Sequence, residues 1–461
     1  MSVQIYNTLT KKKKELAKGT IKMYTCGVTV YDVCHIGHAR SLYIFDVIVR
    51  YLKYRGYKVK FVRNITDIDD KIINKAKELN LSAKEVAEKY TKGYYEDLKS
   101  LSIGKADFEP KATENISDMI KHIQGLIKEG YAYVLDGDVY FSVRKFKDYG
   151  KLSGQNLEQI MAGARIEKDD RKQDPLDFAL WKKSKEGEPS WKSPWGDGRP
   201  GWHIECSVMS LKYLKTKTLD IHAGGLDLVF PHHENEIAQA EALTGKPFAK
   251  HWIHHGLLTI NGQKMAKSLG NFVTIQDFIN NHKDVDFLKL FFLSTHYSNP
   301  VDYNLEKIEE AKKHKKSFDE FFDKVNNWGL IGRSTETAPK DIKEIGNISL
   351  KFQEAMEDNF NTPQALACLF SLVDLGSKFI SQDKKEGFLK IKAELEKFFF
   401  VFGLKIKPKE KINSKIVQLT KERDEAKKNR RFEEADSKRK EIEKIGYAVI
   451  DTANSVTLKR L

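Results

Sequence analysis

The feature that most constrains this chain lies near its start. An alternating segment, Ile21-Lys22-Met23-Tyr24-Thr25-Cys26, is followed by a stretch of helical period and then by a second alternating segment, Lys58-Val59-Lys60-Phe61-Val62-Arg63. Between them Leu42, Phe45, Ile48, Val49 and Leu52 fall on one face of a helix expected from Ile36 to Tyr54, closed by Gly56. Strand, helix and strand in this order build a parallel sheet through a right-handed crossover, so an α/β architecture is expected. Ligands of such sheets sit beyond the carboxyl ends of the strands. That places Cys26, with Gly27 as the turn after it, and Thr66 at the expected site.

At 461 residues the chain exceeds the roughly 250 to 300 residues that one core supports, so roughly two to four domains are expected. A Rossmann-like parallel-sheet domain takes residues 1–107 and 196–256, interrupted by an inserted module over 108–195 with a helix from Ile116 to Glu129 and strands around Tyr133 and Val139-Tyr140-Phe141. Residues 257–304 hold a lysine-bearing loop. A helical bundle is expected over 305–404, with Leu305, Ile308, Ala311, Phe318, Phe321, Phe322 and Val325 as one apolar stripe. Within it, Thr362 is read as an N-cap and Pro363 as a first-turn proline, for a helix running to about Ile380. Residues 405–461 read as a small α+β domain, a basic helical segment ahead of a strand at Ala448-Val449-Ile450.

Four cysteines, Cys26, Cys34, Cys206 and Cys368, are too few and too scattered for a disulfide framework, leaving reduced thiols or metal ligands. The net charge of +14 suits a polyanionic partner, and equally a chain whose lysines are merely solvated. No apolar run approaches the roughly 20 residues needed to span a bilayer, and the start, Met1 to Ile5 leading into Lys11 to Lys14, lacks an apolar signal core. A cytoplasmic protein with no membrane partner is expected.

From Gly201 to Phe272 the chain is dense in His, Gly and Trp, which marks an active site rather than scaffold. Two motifs carry phosphate chemistry. His35-Ile36-Gly37-His38 opens the first helix with two imidazoles on one face, and Gly37 allows close approach to the backbone. Lys264-Met265-Ala266-Lys267-Ser268-Leu269-Gly270-Asn271 offers two ammonium groups to a pyrophosphate leaving group. Either alone could be a solvated surface segment. Together, in this order, they resemble the two signatures of class I aminoacyl-tRNA synthetases, with Ala266 where serine is common. The resemblance implies that His35 and His38 contact the phosphates of ATP, that Lys264 and Lys267 stabilise the transition state, and that Mg2+ accompanies the ATP.

A third cluster comprises Gly201-Trp202-His203-Ile204-Glu205-Cys206, Asp220 to Asp227, and Phe230-Pro231-His232-His233-Glu234-Asn235-Glu236. With Pro231 read as a first helical residue, His232 and Glu236 share a face. Adding Cys26 and Cys206 gives sulfur, sulfur, nitrogen and oxygen donors suited to zinc. Spacing alone leaves open two buried thiols and a polar helix face. These blocks, with Tyr24 to Asp32, Asn64 to Lys71 and Asn359-Phe360-Asn361-Thr362-Pro363, resemble the cysteinyl-tRNA synthetase family over most of the chain.

That resemblance implies one zinc on Cys26, Cys206, His232 and Glu236, with Cys34 a packed thiol. Thr66, Trp202 and Asp227 would meet the cysteine, and Gly225 with Asp227 the adenylate. Thr66 or Asp67 could equally cap the following helix, and Trp202 could be core packing. Serine and cysteine are near-isosteres, which a shape-fitting pocket separates only about a hundredfold. A thiolate binding zinc adds what shape lacks, so no editing domain is needed. The implied partners are L-cysteine, ATP and tRNA(Cys), met by a monomer. A cysteine ligase of mycothiol-type synthesis, which lacks a tRNA-anticodon module, and a non-catalytic synthetase-derived RNA-binding protein are the alternatives. The bundle over 305–404 and the basic tail weigh against the first, and both intact ATP motifs against the second.

Overall fold

The two alternating segments form parallel strands, Thr20–Thr29 and Lys58–Thr66, joined through the helix Ile36–Tyr54. The computed structural model describes residues 2–163, 171–328, 331–332, 334–406, 414–451 and 455–461. Parts of the expected inserted module (164–170) and of the expected last domain (407–413 and 452–454) therefore lie outside the described residues. The strand pair belongs to a four-stranded parallel sheet ordered Ala249–His255, Leu219–Gly225, Thr20–Thr29, Lys58–Thr66. The first strand is thus flanked by the second on one side and by later strands on the other. The switch point of the topology lies beside it, where sheets of this kind open a ligand crevice. Pairing of Thr20–Thr29 with Leu219–Gly225 ends at Thr25 opposite Ala223, so the two strands part at Cys26.

Gly27 is not a turn after the strand; the strand continues to Thr29 through an irregularity between Thr25 and Val28. The neighbouring strand comes so close that a Cβ at Gly27 would lie 1.6 Å from the backbone oxygen of Asn64. Cys26 consequently projects from within its strand, whereas Thr66 does end its own.

The helix Ile36–Tyr54 buries Leu42, Phe45, Ile48, Val49 and Leu52, as its period requires, and Gly56 at φ +83° ends it. The inserted segment forms the helix Ile116–Lys128 and an antiparallel sheet of Ala132–Leu135, Asp138–Phe141, Phe178–Lys183 and Gly198–Pro200. This sheet extends past residue 195, and Met119, Ile123, Phe141 and Trp181 share a core with Ile204 and Val208. The insertion thereby braces the helix Trp202–Leu214 that carries Cys206.

The described chain divides into two compact units, Ser2–Val285 with Tyr297–Asp302, and Asp286–His296 with Tyr303–Leu461. In the second, helices Leu305–Asn327, Pro339–Glu357, Thr362–Ser381 and Lys385–Phe402 bury the expected stripe except Leu305, which is 70% exposed in the first turn. Phe352 and Phe398 stack at 3.8 Å inside this bundle. Asn361, not Thr362, is the N-cap, its side chain accepting from Gln364 N–H, while Pro363 falls in the first turn. By length and composition Thr362–Ser381 does reach what crossing a membrane requires, and half of that window is buried. Helices Ser414–Lys428 and Phe432–Lys444 pack with a hairpin of Tyr447–Asp451 and Ser455–Arg460 around Leu419, Ile442, Val449 and Leu458, so the expected last strand has a partner.

Candidate active site

Where the central strands part, Cys26 faces Cys206 from the helix Trp202–Leu214 and the chain entering the helix Glu234–Thr244. As expected, the helical backbone starts at Pro231: Phe230 before it is extended, at φ −137° and ψ 134°, and the turn after it runs on into the helix Glu234–Thr244. His232 and His233 lie in this opening turn, and the four-residue spacing holds, with His232 Nε2 at 2.9 Å from Glu236 Oε1. The donor atoms of Cys26, Cys206, His232 and Glu236 all lie within 4.8 Å of one another.

The protonation balance favours a cation there. Burial pushes the Cys206 thiol up, but hydrogen bonds with Cys26 and His232 outweigh it and bring it down to about 6. Burial, Cys206 and Glu236 raise the Cys26 thiol. Burial also opposes ionisation of Glu236, yet His222 and His232 hold its carboxyl well below the usual range. Desolvation disfavours a charged His232, but Glu236 and Cys206 lift its imidazole to about 10. A protonated His232 balances part of the negative charge of the buried carboxylate and thiolate; once neutral, it joins two sulfurs and one carboxylate as a donor set zinc accepts. The residues fit that ion. Cys26, His222, His233 and Glu236 also converge within the same distance, with one thiol in place of two, a harder set.

Around these donors the site is orienting rather than loose. His203 Nδ1 lies 2.9 Å from His232 Nδ1, and Trp202 stacks on the His232 ring at 4.1 Å. His222 Nε2 meets Glu236 Oε2 at 2.6 Å, while His233 links Cys26 (3.2 Å) to His254 (2.8 Å). Such partners fix a ligand's tautomer and direction.

A cavity of about 280 Å³ is lined by Thr29, Asp32, His35, His38, Lys267 and Phe272, among others. His35 caps the helix: its Nδ1 accepts from Gly37 N–H (3.1 Å) and His38 N–H (3.3 Å), and His38 Nδ1 accepts from His35 N–H (3.3 Å). The two rings stack at 3.7 Å, and a Cβ at Gly37 would lie 2.9 Å from the His35 ring. With both Nδ1 atoms accepting, each neutral ring must carry its proton on Nε2 and so offers one outward donor. Lys267 pairs with Asp32 and lies over Phe272 at 5.1 Å. Lys264 is exposed on the hairpin before it and does not line this cavity.

Thr66 caps no helix, since Asp69 does that for Asp70–Leu79; its hydroxyl donates to Glu205 at 2.7 Å and accepts from Asn64 at 3.2 Å. Asp67 instead accepts from Thr113 N–H at 2.9 Å. Trp202 is 39% exposed, so it is not core. Gly225 ends its strand beside Asp227, whose Oδ1 would lie 2.3 Å from a Cβ at Gly225. Cys34 is buried, and its thiol is pushed up by that burial and by Asp97.

Comparison with known proteins decides the kinship. Residues 12–313 match the family described as tRNA synthetases class I (C) catalytic domain, and residues 351–407 match the DALR domain. A cysteine–tRNA ligase of Persephonella marina is 48% identical, over 98% of this chain and 98% of its own. The chain belongs to the cysteine–tRNA ligase family. As a member it is an ATP-dependent aminoacyl-tRNA ligase, as the motifs led us to expect. The cysteine–tRNA ligase of Caldicellulosiruptor saccharolyticus is 46% identical over 100% of both chains. Mycobacterium tuberculosis methionyl-tRNA synthetase in complex with methionyl-adenylate superposes with a TM-score of 0.59, covering 84% of this chain and 88% of that one. At 14% identity that likeness shows the shared fold alone.

For this cysteine–tRNA ligase family member, the sequence reading gave no role to His222, His233 or His254; the histidine density of residues 201–272 was the only signal. Burial lowers His35 and His255 to about 4 and His38 and His254 to about 3. Unfolded histidines titrate near 6.5, so the unfolded chain binds these protons first. Stability is therefore full above pH of about 6.5 and is lost as pH falls toward these folded-state values. The urea midpoint of zinc-free protein is expected to drop between pH 7 and pH 4.5 with proton uptake on unfolding; a pH-independent midpoint would contradict neutral, buried rings.

Proposed function

We propose that the chain activates L-cysteine with ATP to cysteinyl-adenylate and pyrophosphate, then transfers the cysteine to the 3′-terminal ribose of tRNA(Cys). The observation that carries the cysteine part is the convergence of Cys26, Cys206, His232 and Glu236 at the parting of the central strands. Zinc held by these four residues would supply a soft Lewis acid that a cysteine thiolate satisfies far better than a serine hydroxyl. Trp202, Thr66 and Asp227 bound the cysteine, with Thr66 held by Glu205 and Asn64.

In the first step the cysteine carboxylate attacks the α-phosphate, and negative charge gathers on the departing pyrophosphate. His35 and His38 donate from Nε2 to phosphate oxygens, and being neutral they orient without adding charge. Lys267, released from Asp32, neutralises the leaving group, and Lys264 follows it as the loop closes. Gly225 and Asp227 meet the adenylate. Mg2+ accompanies the ATP. In the second step the ribose hydroxyl attacks the acyl carbon and AMP leaves.

On this reading tRNA(Cys) is held by the bundle over 305–404 and the basic module over 405–461, and the enzyme is a cytoplasmic monomer without a membrane partner. Arg430 and Arg431 are exposed at the turn between the last two helices. Neutralising both is expected to weaken tRNA binding and to reduce the salt slope by about 2; unchanged affinity in a filter-binding titration would move the contact elsewhere. The test of the function itself is cysteine-dependent exchange of labelled pyrophosphate into ATP, followed by charging of tRNA(Cys). Exchange without charging would favour a cysteine ligase with another acceptor, and no exchange by folded, zinc-loaded protein would remove the enzyme reading.

A further inference from the structure

We propose that Arg40 is a positioning residue for adenylate formation, pinning the root of the lysine loop to the helix turn that carries His35 and His38. The inference rests on the phosphate role given above to Lys267. Arg40 lies two positions beyond His38 and is 1% exposed. One terminal nitrogen donates to the carbonyls of Gly256 (2.7 Å) and Leu257 (2.8 Å), the other to those of Asn299 (2.6 Å) and Tyr297 (3.3 Å).

These carbonyls sit on two segments that brace each other. Gly256 N–H donates to Tyr297 O and Val301 N–H to Leu257 O, each at 2.9 Å. The Asp302 carboxylate accepts from the Thr259 hydroxyl and from Gly262 N–H, both at 2.7 Å. The hairpin of Leu258–Ile260 and Gln263–Lys264 grows directly out of this brace, so both lysines hang from it. The far end of the loop returns to the start of the same helix, with Ile36 N–H on Val273 O and Ile275 N–H on Cys34 O, each at 3.1 Å. Both roots are thereby fixed to one helix turn. The span between them carries Lys267.

Fold maintenance alone accounts poorly for a guanidinium here. Burial pulls Arg40 down to about 10, and its partners are neutral carbonyls rather than a carboxylate. A desolvated cation without a counter-ion is costly, whereas backbone hydrogen bonds already join the two segments. Only a planar fork reaches two pairs of carbonyls at once; a lysine ammonium cannot. Gly256 completes the fit, since a Cβ there would lie 2.2 Å from Asn299 O.

The test is a double-mutant cycle on the full chain with Arg40→Lys, Lys267→Ala and the pair, reading kcat and KM of cysteine-dependent pyrophosphate exchange alongside thermal unfolding. Arg40→Lys is expected to lower kcat about ten- to a hundredfold, the scale of a misplaced catalytic group, with the KM for cysteine held within about twofold. In the Lys267→Ala background the same change should cost less than about threefold, because the group it positions is gone. Gly256→Ala, which forces the clamped carbonyls apart while keeping Arg40, should reproduce the kcat loss and decides the matter if Arg40→Lys does not fold. The full Arg40→Lys or Gly256→Ala loss persisting on top of Lys267→Ala would overturn the positioning role. A Lys267→Ala enzyme with an unchanged rate would instead overturn the role of Lys267.

Discussion

Replacing Cys206 with alanine is expected to cost the protein its zinc and its cysteine affinity together, with the preference for cysteine over serine falling toward the roughly hundredfold limit of a shape-fitting pocket. Cys206 is 2% exposed, and its sulfur is one of two soft donors in the four-residue set. Without it the set loses one of its two thiolates, and Cys26 keeps only imidazole and carboxylate neighbours, a harder set for zinc. Metal content by mass spectrometry and pyrophosphate exchange with each amino acid check this. A metal-free Cys206→Ala protein with undiminished discrimination would remove zinc from the selection of substrate.

Lys267→Ala is expected to slow adenylate formation about 10²- to 10³-fold, the usual cost of deleting one preorganised donor to developing charge, while the KM for cysteine changes little. The ammonium already sits at the rim of the cavity that His35 and His38 line, held by Asp32 and backed by Phe272. Its charge is needed only as pyrophosphate departs, so the loss belongs in kcat. Single-turnover measurement of adenylate separates this from product release, and an unaltered rate would rule the role out.

The fold was legible wherever its signal was local. The helix Ile36–Tyr54 and the strands beside it follow from period and from Gly56, which never required knowing what lies across the sheet. Errors came where tertiary contact overrides a local rule. Gly27 reads as a turn because glycine usually marks one, yet it is required by the close approach of Asn64. Asn361 and Thr362 are both good caps, and only the observed bond to Gln364 N–H separates them. The candidate metal set was the least legible part. Cys26 lies on the first strand and Cys206 on the helix leading into the third, and that these strands are neighbours is an order that spacing along the chain does not encode. The family resemblance supplied that set; residue periodicity did not. For the same reason His222, His233 and His254, contributed by two strands and a turn, escaped notice as a network.

The central claim is that a metal held by Cys26, Cys206, His232 and Glu236 is what recognises the substrate's sulfur. Its most direct test is stepwise removal of zinc with a chelator and its stepwise return, measuring bound metal and the cysteine-over-serine ratio in pyrophosphate exchange on the same samples. Selectivity rising and falling in proportion to bound zinc is the predicted result; metal-free protein as active and as selective as the loaded form would contradict it.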